Sequence, residues 1–250
     1  MSTITAQSSV VGRNPGALPG RRFDHIFFSF AALLMLATVF LGFARTYYLA
    51  GVFHANLPSF IIHVHGALFS SWIVILIVQT SLVSAGRVDI HRRLGLTAFM
   101  VAAVMVIVGV LAATDSLVRA DIPGRDARFF YIVPLTDMVA FAVLIFFAYR
   151  KRSDSAAHKR LIYLATSACL IAATARWPFF AQRNLLRATL LAECFPLILV
   201  VYDLWATHKI HRVTLWGCTF LVLVQQLRIP IGHTHPWIAF ATWIQSLTRH

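Results

Sequence analysis

The sequence predicts an all-α, polytopic membrane helix bundle with seven transmembrane helices, and three observations carry that prediction. The chain of 250 residues is 59% hydrophobic and 12% charged, with a mean hydropathy of +0.74; soluble domains carry about 25% charged residues. Its apolar residues gather in segments long enough to cross a hydrocarbon layer as helices, which takes about 20 residues each. Between those segments lie short, basic connections such as "SAGRVDIHRR" and "YRKRSDSAAHKR". The net charge of +13 and the pI near 10.8 therefore read as membrane topology, and nucleic acid is excluded as a partner.

In chain order, residues 1–24 are polar, rich in Ser, Gly and Pro, and end in Arg21-Arg22, the composition of a disordered cytoplasmic tail. The following apolar run exceeds a signal-peptide core and has no convincing cleavage site, so it is an uncleaved first span. Spans are expected near 26–46, 57–84, 94–115, 129–149, 160–179, 187–206 and 213–231, within a transmembrane domain covering 25–232. Of the 22 Lys and Arg residues, 13 fall on the side of the N-terminus and 9 on the other. Positive residues favour the cytoplasmic side, which places the N-terminus inside, in a bacterial inner membrane. The last segment, 233–250, is too short to cross. Its Trp237, Phe240, Ile244 and Leu247 repeat at helical spacing, as in a helix lying in the interface.

Several chemistries are excluded. The lysines, Lys151, Lys159 and Lys209, lie at loops, so no span offers a Schiff-base lysine for retinal. The chain has no CxxC, CxxCH, HExxH, GxSxG or P-loop motif. Cys169, Cys194 and Cys218 lie apart in apolar segments and read as small hydrophobes.

What remains are polar residues inside spans, where they are costly and face a bundle interior or water. Arg45, His63, Asp115, Asp137, Arg176, Glu193, Gln226 and Arg228 fall in one layer on the side opposite the N-terminus, and are expected to line a polar membrane pocket. Arg176 is expected to pair with Asp137 or Glu193. His63 and His65 lie about 9 and 12 Å below the outer end of span two at helical rise. They point about 200° apart, and Gly66 marks the close-packed face, so His65 is expected inward. His233 and His235, in "HTHPW", would point to one side of an extended segment and could bind a transition metal, with or without His65. A second histidine layer, His91, His158, His208 and His211, lies on the cytoplasmic rim.

Spans three and five open alike, with "DIHRRLGLTAF" and "AAHKRLIYLAT", which suggests a duplicated helix pair. His65, Gln79 and His91-Arg92-Arg93-Leu94-Gly95 resemble uncharacterised bacterial multi-helix membrane families with a His…Gln…His-Arg-x-x-Gly pattern. They are more distantly similar to transmembrane b-type cytochromes and haem-copper oxidase assembly proteins. The resemblance implies a haem-linked redox or oxidase-assembly role, with haem b as cofactor and a respiratory membrane complex or a second copy as partner. His65, His91 and His158 are the metal candidates, with His233 and His235 for a second cofactor site. Two other readings stand beside it: a transporter or channel for a small anion or proton, and an accessory structural subunit. No particular reaction is written in the sequence.

Overall fold

The computed structural model describes residues 19–55, 59–120, 126–177 and 184–247, and these are helical with no strand among them. The helices are α1 (Pro19–Phe43), α2 (Phe60–Ser84), α3 (Val88–Arg119), α4 (Ala127–Phe130), α5 (Ile132–Arg150), α6 (Ser155–Ala168), α7 (Ile171–Thr174), α8 (Leu185–Thr207), α9 (Arg212–Gly232) and α10 (His235–Leu247). A π-helical turn, Ala44–Tyr48, extends α1. Residues 1–18 of the expected tail lie outside the described residues. Residues 19–24, read as part of that tail, form the first turns of α1.

Helix starts follow local chemistry. Asp154 accepts from the Ala156 and Ala157 amides at the start of α6. Asn184 caps α8 through the Arg187 amide, and His211 Nδ1 caps α9 through the Val213 amide. Gly86, at φ +74°, turns the chain between α2 and α3, where a side chain would be strained.

Among the described residues six helices are long and apolar enough to cross a membrane: those within Phe23–Tyr48, Phe60–Ser84, Val88–Arg119, Ala127–Arg150, Leu186–Thr207 and Arg212–Gly232. The perimeter fits that solvent. Phe30, Leu33, Ile107, Leu111, Leu197 and Trp216 stand exposed, a surface suited to lipid rather than water. This is a multi-pass membrane protein.

The fifth expected span differs from the others. It is broken at Cys169–Leu170 into α6 and α7 and is sunk among the other helices. Together the two pieces run from one end of the bundle, where Arg160 meets α8, to the other, where Thr174 Oγ1 donates to Ala188 O (2.9 Å). Close approach rests on small residues. Gly42 of α1 lies directly on the Ala173 backbone, Gly109 of α3 on Met138, and Gly217 of α9 on Leu164. The core threads through the middle: Met35, Trp72, Ala102, Met105, Phe141, Leu164 and Leu199.

α10 packs one side against the bundle. Trp237 and Ile244 pack on a cluster of Ala113, Leu117, Ala127, Tyr131 and Ala241, while Phe240 and Leu247 point outward. Ala241 falls between Trp237 and Ile244 in the helical period, and its small side chain lets that stripe sit against α3 and α4. Trp237 Nε1 donates to Arg128 O (2.9 Å), and Gln245 Nε2 donates to Leu117 O (3.0 Å).

Candidate functional site

The two ends of the bundle are named here by His91 and by Asp115. At the His91 end, α3 and α6 each present a histidine as their fourth residue. The rings of His91 and His158 lie 6.5 Å apart at 78°. His158 Nδ1 donates to Ala148 O at 2.9 Å. A carbonyl only accepts, so this bond fixes the proton on Nδ1 and leaves the Nε2 lone pair free. His91 Nδ1 meets the Gln79 amide. Oriented to satisfy both its ends, Gln79 donates from Nε2 to His91 Nδ1 (2.7 Å), and its Oε1 accepts from the Gly95 amide (3.0 Å). As the acceptor in that bond, His91 Nδ1 is unprotonated, and the neutral ring carries its proton on Nε2. Phe99 stands beside the pair, 6.2 Å from His158 and edge-on to Tyr149 at 5.1 Å. Arg92 and Arg93 follow His91 and are exposed.

Next to this pair lies a charge network that the sequence reading missed. Asp203, fully buried, accepts from Arg160 Nε (3.0 Å) and Nη2 (2.5 Å), the His211 amide (3.0 Å) and Thr214 Oγ1 (2.5 Å). Arg160 is itself 4% exposed. The signal was available: Asp203 is an acid inside an apolar span, and Arg160 is a cation on the buried face of α6. Lys159 pairs with Asp24 Oδ2 at 2.5 Å, and Tyr202 OH donates to Asp24 Oδ1. His211, in the loop before α9, has its pKa held below the usual histidine range by burial and then by the Arg160 charge. His208 ends α8 in the left-handed conformation.

At the Asp115 end the predicted polar layer divides. Arg228 of α9, 1% exposed, donates from Nη1 to Asp137 Oδ1 of α5 at 2.9 Å, and Asp137 is 7% exposed. Gln226 Nε2 donates to Glu193 Oε1 at 3.0 Å, joining α9 to α8. Arg176 does not take either acid, as the sequence reading expected. The chain has turned out of helix α7 there. Its Nη1 donates to Ala172 O (2.6 Å), its guanidinium lies 4.7 Å over Phe43, and Arg228 holds Asp137. Asp115 takes Ser59 Oγ (2.8 Å) and Arg119 Nη2 (2.9 Å). Arg45 lies over Phe53 at 5.3 Å. Of the eight layer residues, Asp137 pairs with Arg228 and Glu193 with Gln226, while Arg45, His63, Asp115 and Arg176 contact residues outside the layer.

The α2 histidines point apart as their spacing requires. His65 stacks on Phe69 at 4.0 Å, and its Nδ1 is buried without a partner. His63 Nδ1 lies 3.4 Å from Tyr47 OH, whose ring fills the space left by Gly66. His233 and His235 are not an extended pair. His233 caps α9 and stacks on Phe129 at 4.1 Å, while His235 begins α10; the helix-to-helix turn removes the common side that an extended strand would give them. Among the described residues no three His, Cys, Asp or Glu side chains gather as a metal site.

No known protein family, curated protein or solved structure matches this chain.

Proposed function

We propose that this chain is a haem-linked redox or oxidase-assembly protein of the bacterial inner membrane, with His91 and His158 as the ligands of a b-type haem. The observation that carries the reading is the histidine pair. Two rings 6.5 Å apart bring two imidazoles together: His158, with Nδ1 donating to Ala148, keeps its Nε2 lone pair for a metal, while His91 would ligate through Nε2 in the tautomer that carries its proton on Nδ1, which requires the Gln79 amide to turn. Hydrogen bonds at the far nitrogen orient a ligating imidazole and tune its basicity. Phe99 and Tyr149 give the apolar wall that a macrocycle needs, and Arg92 and Arg93 supply positive charge for its propionates. Haem bound there supplies one-electron chemistry.

The equal helix position of His91 and His158 supports a duplicated pair, α2–α3 and α5–α6, in a seven-span topology that counts α6 with α7 as one crossing. The basic connections at the His91 end support a cytoplasmic N-terminus, and a respiratory complex is the partner class.

An absorption spectrum of the detergent-purified protein tests the reading. A Soret band is expected, lost in His91→Ala and in His158→Ala and retained in His63→Ala. A protein that stays colourless after incubation with haemin overturns it.

A further inference from the structure

Half of a buried guanidinium is idle. Arg228 spends Nη1 on Asp137, while Nε and Nη2 are buried and have no hydrogen-bond partner. Those two nitrogens share one edge of the planar group, and their N–H bonds run parallel, the fork that matches two coplanar oxygens. The same molecule shows a carboxylate on such an edge: Arg160 Nε and Nη2 both donate to Oδ1 of Asp203. Among the described residues nothing plays that part for Arg228. About one turn earlier on α9, Gln225 also leaves its Oε1 buried and unpartnered. Above them, Gly232 lets Phe129 and Ile132 close over α9, and α10 covers α4. The donors therefore face neither lipid nor open water.

We propose that the Nε–Nη2 edge of Arg228 is a binding site for a small ligand bearing a carboxyl group. Its two oxygens accept from Nε and Nη2. Gln225 Oε1 favours ligands that also carry a hydroxyl or amine donor. Asp137 holds the guanidinium in place from the opposite end and is not displaced.

The test uses the full chain in detergent, with formate and acetate as probes and chloride at matched ionic strength as control. Wild type is expected to show a saturable rise in Tm and a titration heat with both carboxylates and neither with chloride. Arg228→Lys keeps a cation opposite Asp137 but has no two-donor edge, and is expected to bind the probes at least tenfold more weakly. Asp137→Asn removes a competing negative charge and is expected to bind them more tightly. The response persists in His91→Ala, which separates it from the haem reading. Absence of a saturable response in wild type and in Asp137→Asn overturns the proposal and assigns the idle donors to ordered water. So does Arg228→Lys that is folded, by its elution profile, and binds as tightly as wild type.

Discussion

Each end of the bundle holds a buried Arg–Asp pair between neighbouring helices, and the pairs differ in what they leave over. At the His91 end, Asp203 receives four donors, two of them from Arg160. At the Asp115 end, Asp137 receives one bond from Arg228, and two guanidinium nitrogens stand idle. Among the described residues all five buried side-chain atoms without a partner lie at this second end: His65 Nδ1, Thr189 Oγ1, Gln225 Oε1, Arg228 Nε and Arg228 Nη2. A satisfied buried pair orders helices; an unsatisfied one is costly, and a ligand or water removes the cost. The same two residue types thus build a lock at one end and a socket at the other.

The largest expected effect comes from breaking the lock. Asp203→Ala strands a buried Arg160 and is expected to lower stability by about 3–5 kcal/mol, measured by denaturant unfolding in detergent micelles. A loss below about 1 kcal/mol would mean that water reaches Arg160 and that the two ends are alike. Next comes Asp137→Asn. The asparagine oxygen can still accept from Nη1, so the hydrogen bond is kept while the buried Arg228 loses its counter-charge, and the expected cost of about 1.5–3 kcal/mol stays below that of Asp203→Ala. A cost equal to that of Asp203→Ala would erase the contrast. Gln79→Leu leaves His91 Nδ1 without its partner and is expected to cost about 1–3 kcal/mol, with a shifted rather than absent Soret band.

The smallest effect is a pH dependence at the locked end. His211 has a folded pKa below its ordinary 6.5, so the folded state favours the neutral ring. That contribution is complete above about pH 6.5 and is lost as pH falls toward the folded value. Protonation also removes the Nδ1 lone pair that caps α9. Wild type is therefore expected to lose stability as pH falls below 6.5, and His211→Asn, which keeps a cap, to lose less. Equal slopes would place the titration elsewhere.

Hydropathy alone made Asp137, Glu193 and Arg228 legible, because an ionisable residue inside an apolar span stands out against its neighbours. Their pairing was not legible. Arg176 and Arg228 occupy the same layer in sequence, and only the break after Ala168 turns Arg176 away while α9 brings Arg228 onto α5. That break was hidden as well, since "TSACLIAATA" is a continuous run of small and apolar residues. His91 and His158 were legible as a pair from the matching helix openings. The bonds to Gln79 and Ala148 were not, because they join residues brought together by helix packing. α10 was found as a helix by its period, but the face it buries was misread, since Ala241 carries too little hydrophobicity to mark a contact stripe.

The broken α6–α7 segment has a consequence for biogenesis. It carries His158, Lys159 and Arg160 in its first turns and is not among the helices apolar enough to cross alone. Each Lys or Arg deep in a nascent helix disfavours insertion by up to about 2.5–3.5 kcal/mol. The segment packs among α5, α8 and α9, so it is expected to enter the bundle together with α5 rather than alone. The chain is expected to pass through a stage in which α1 to α3 are already lodged and α6 still waits at the membrane surface for α8 to supply Asp203.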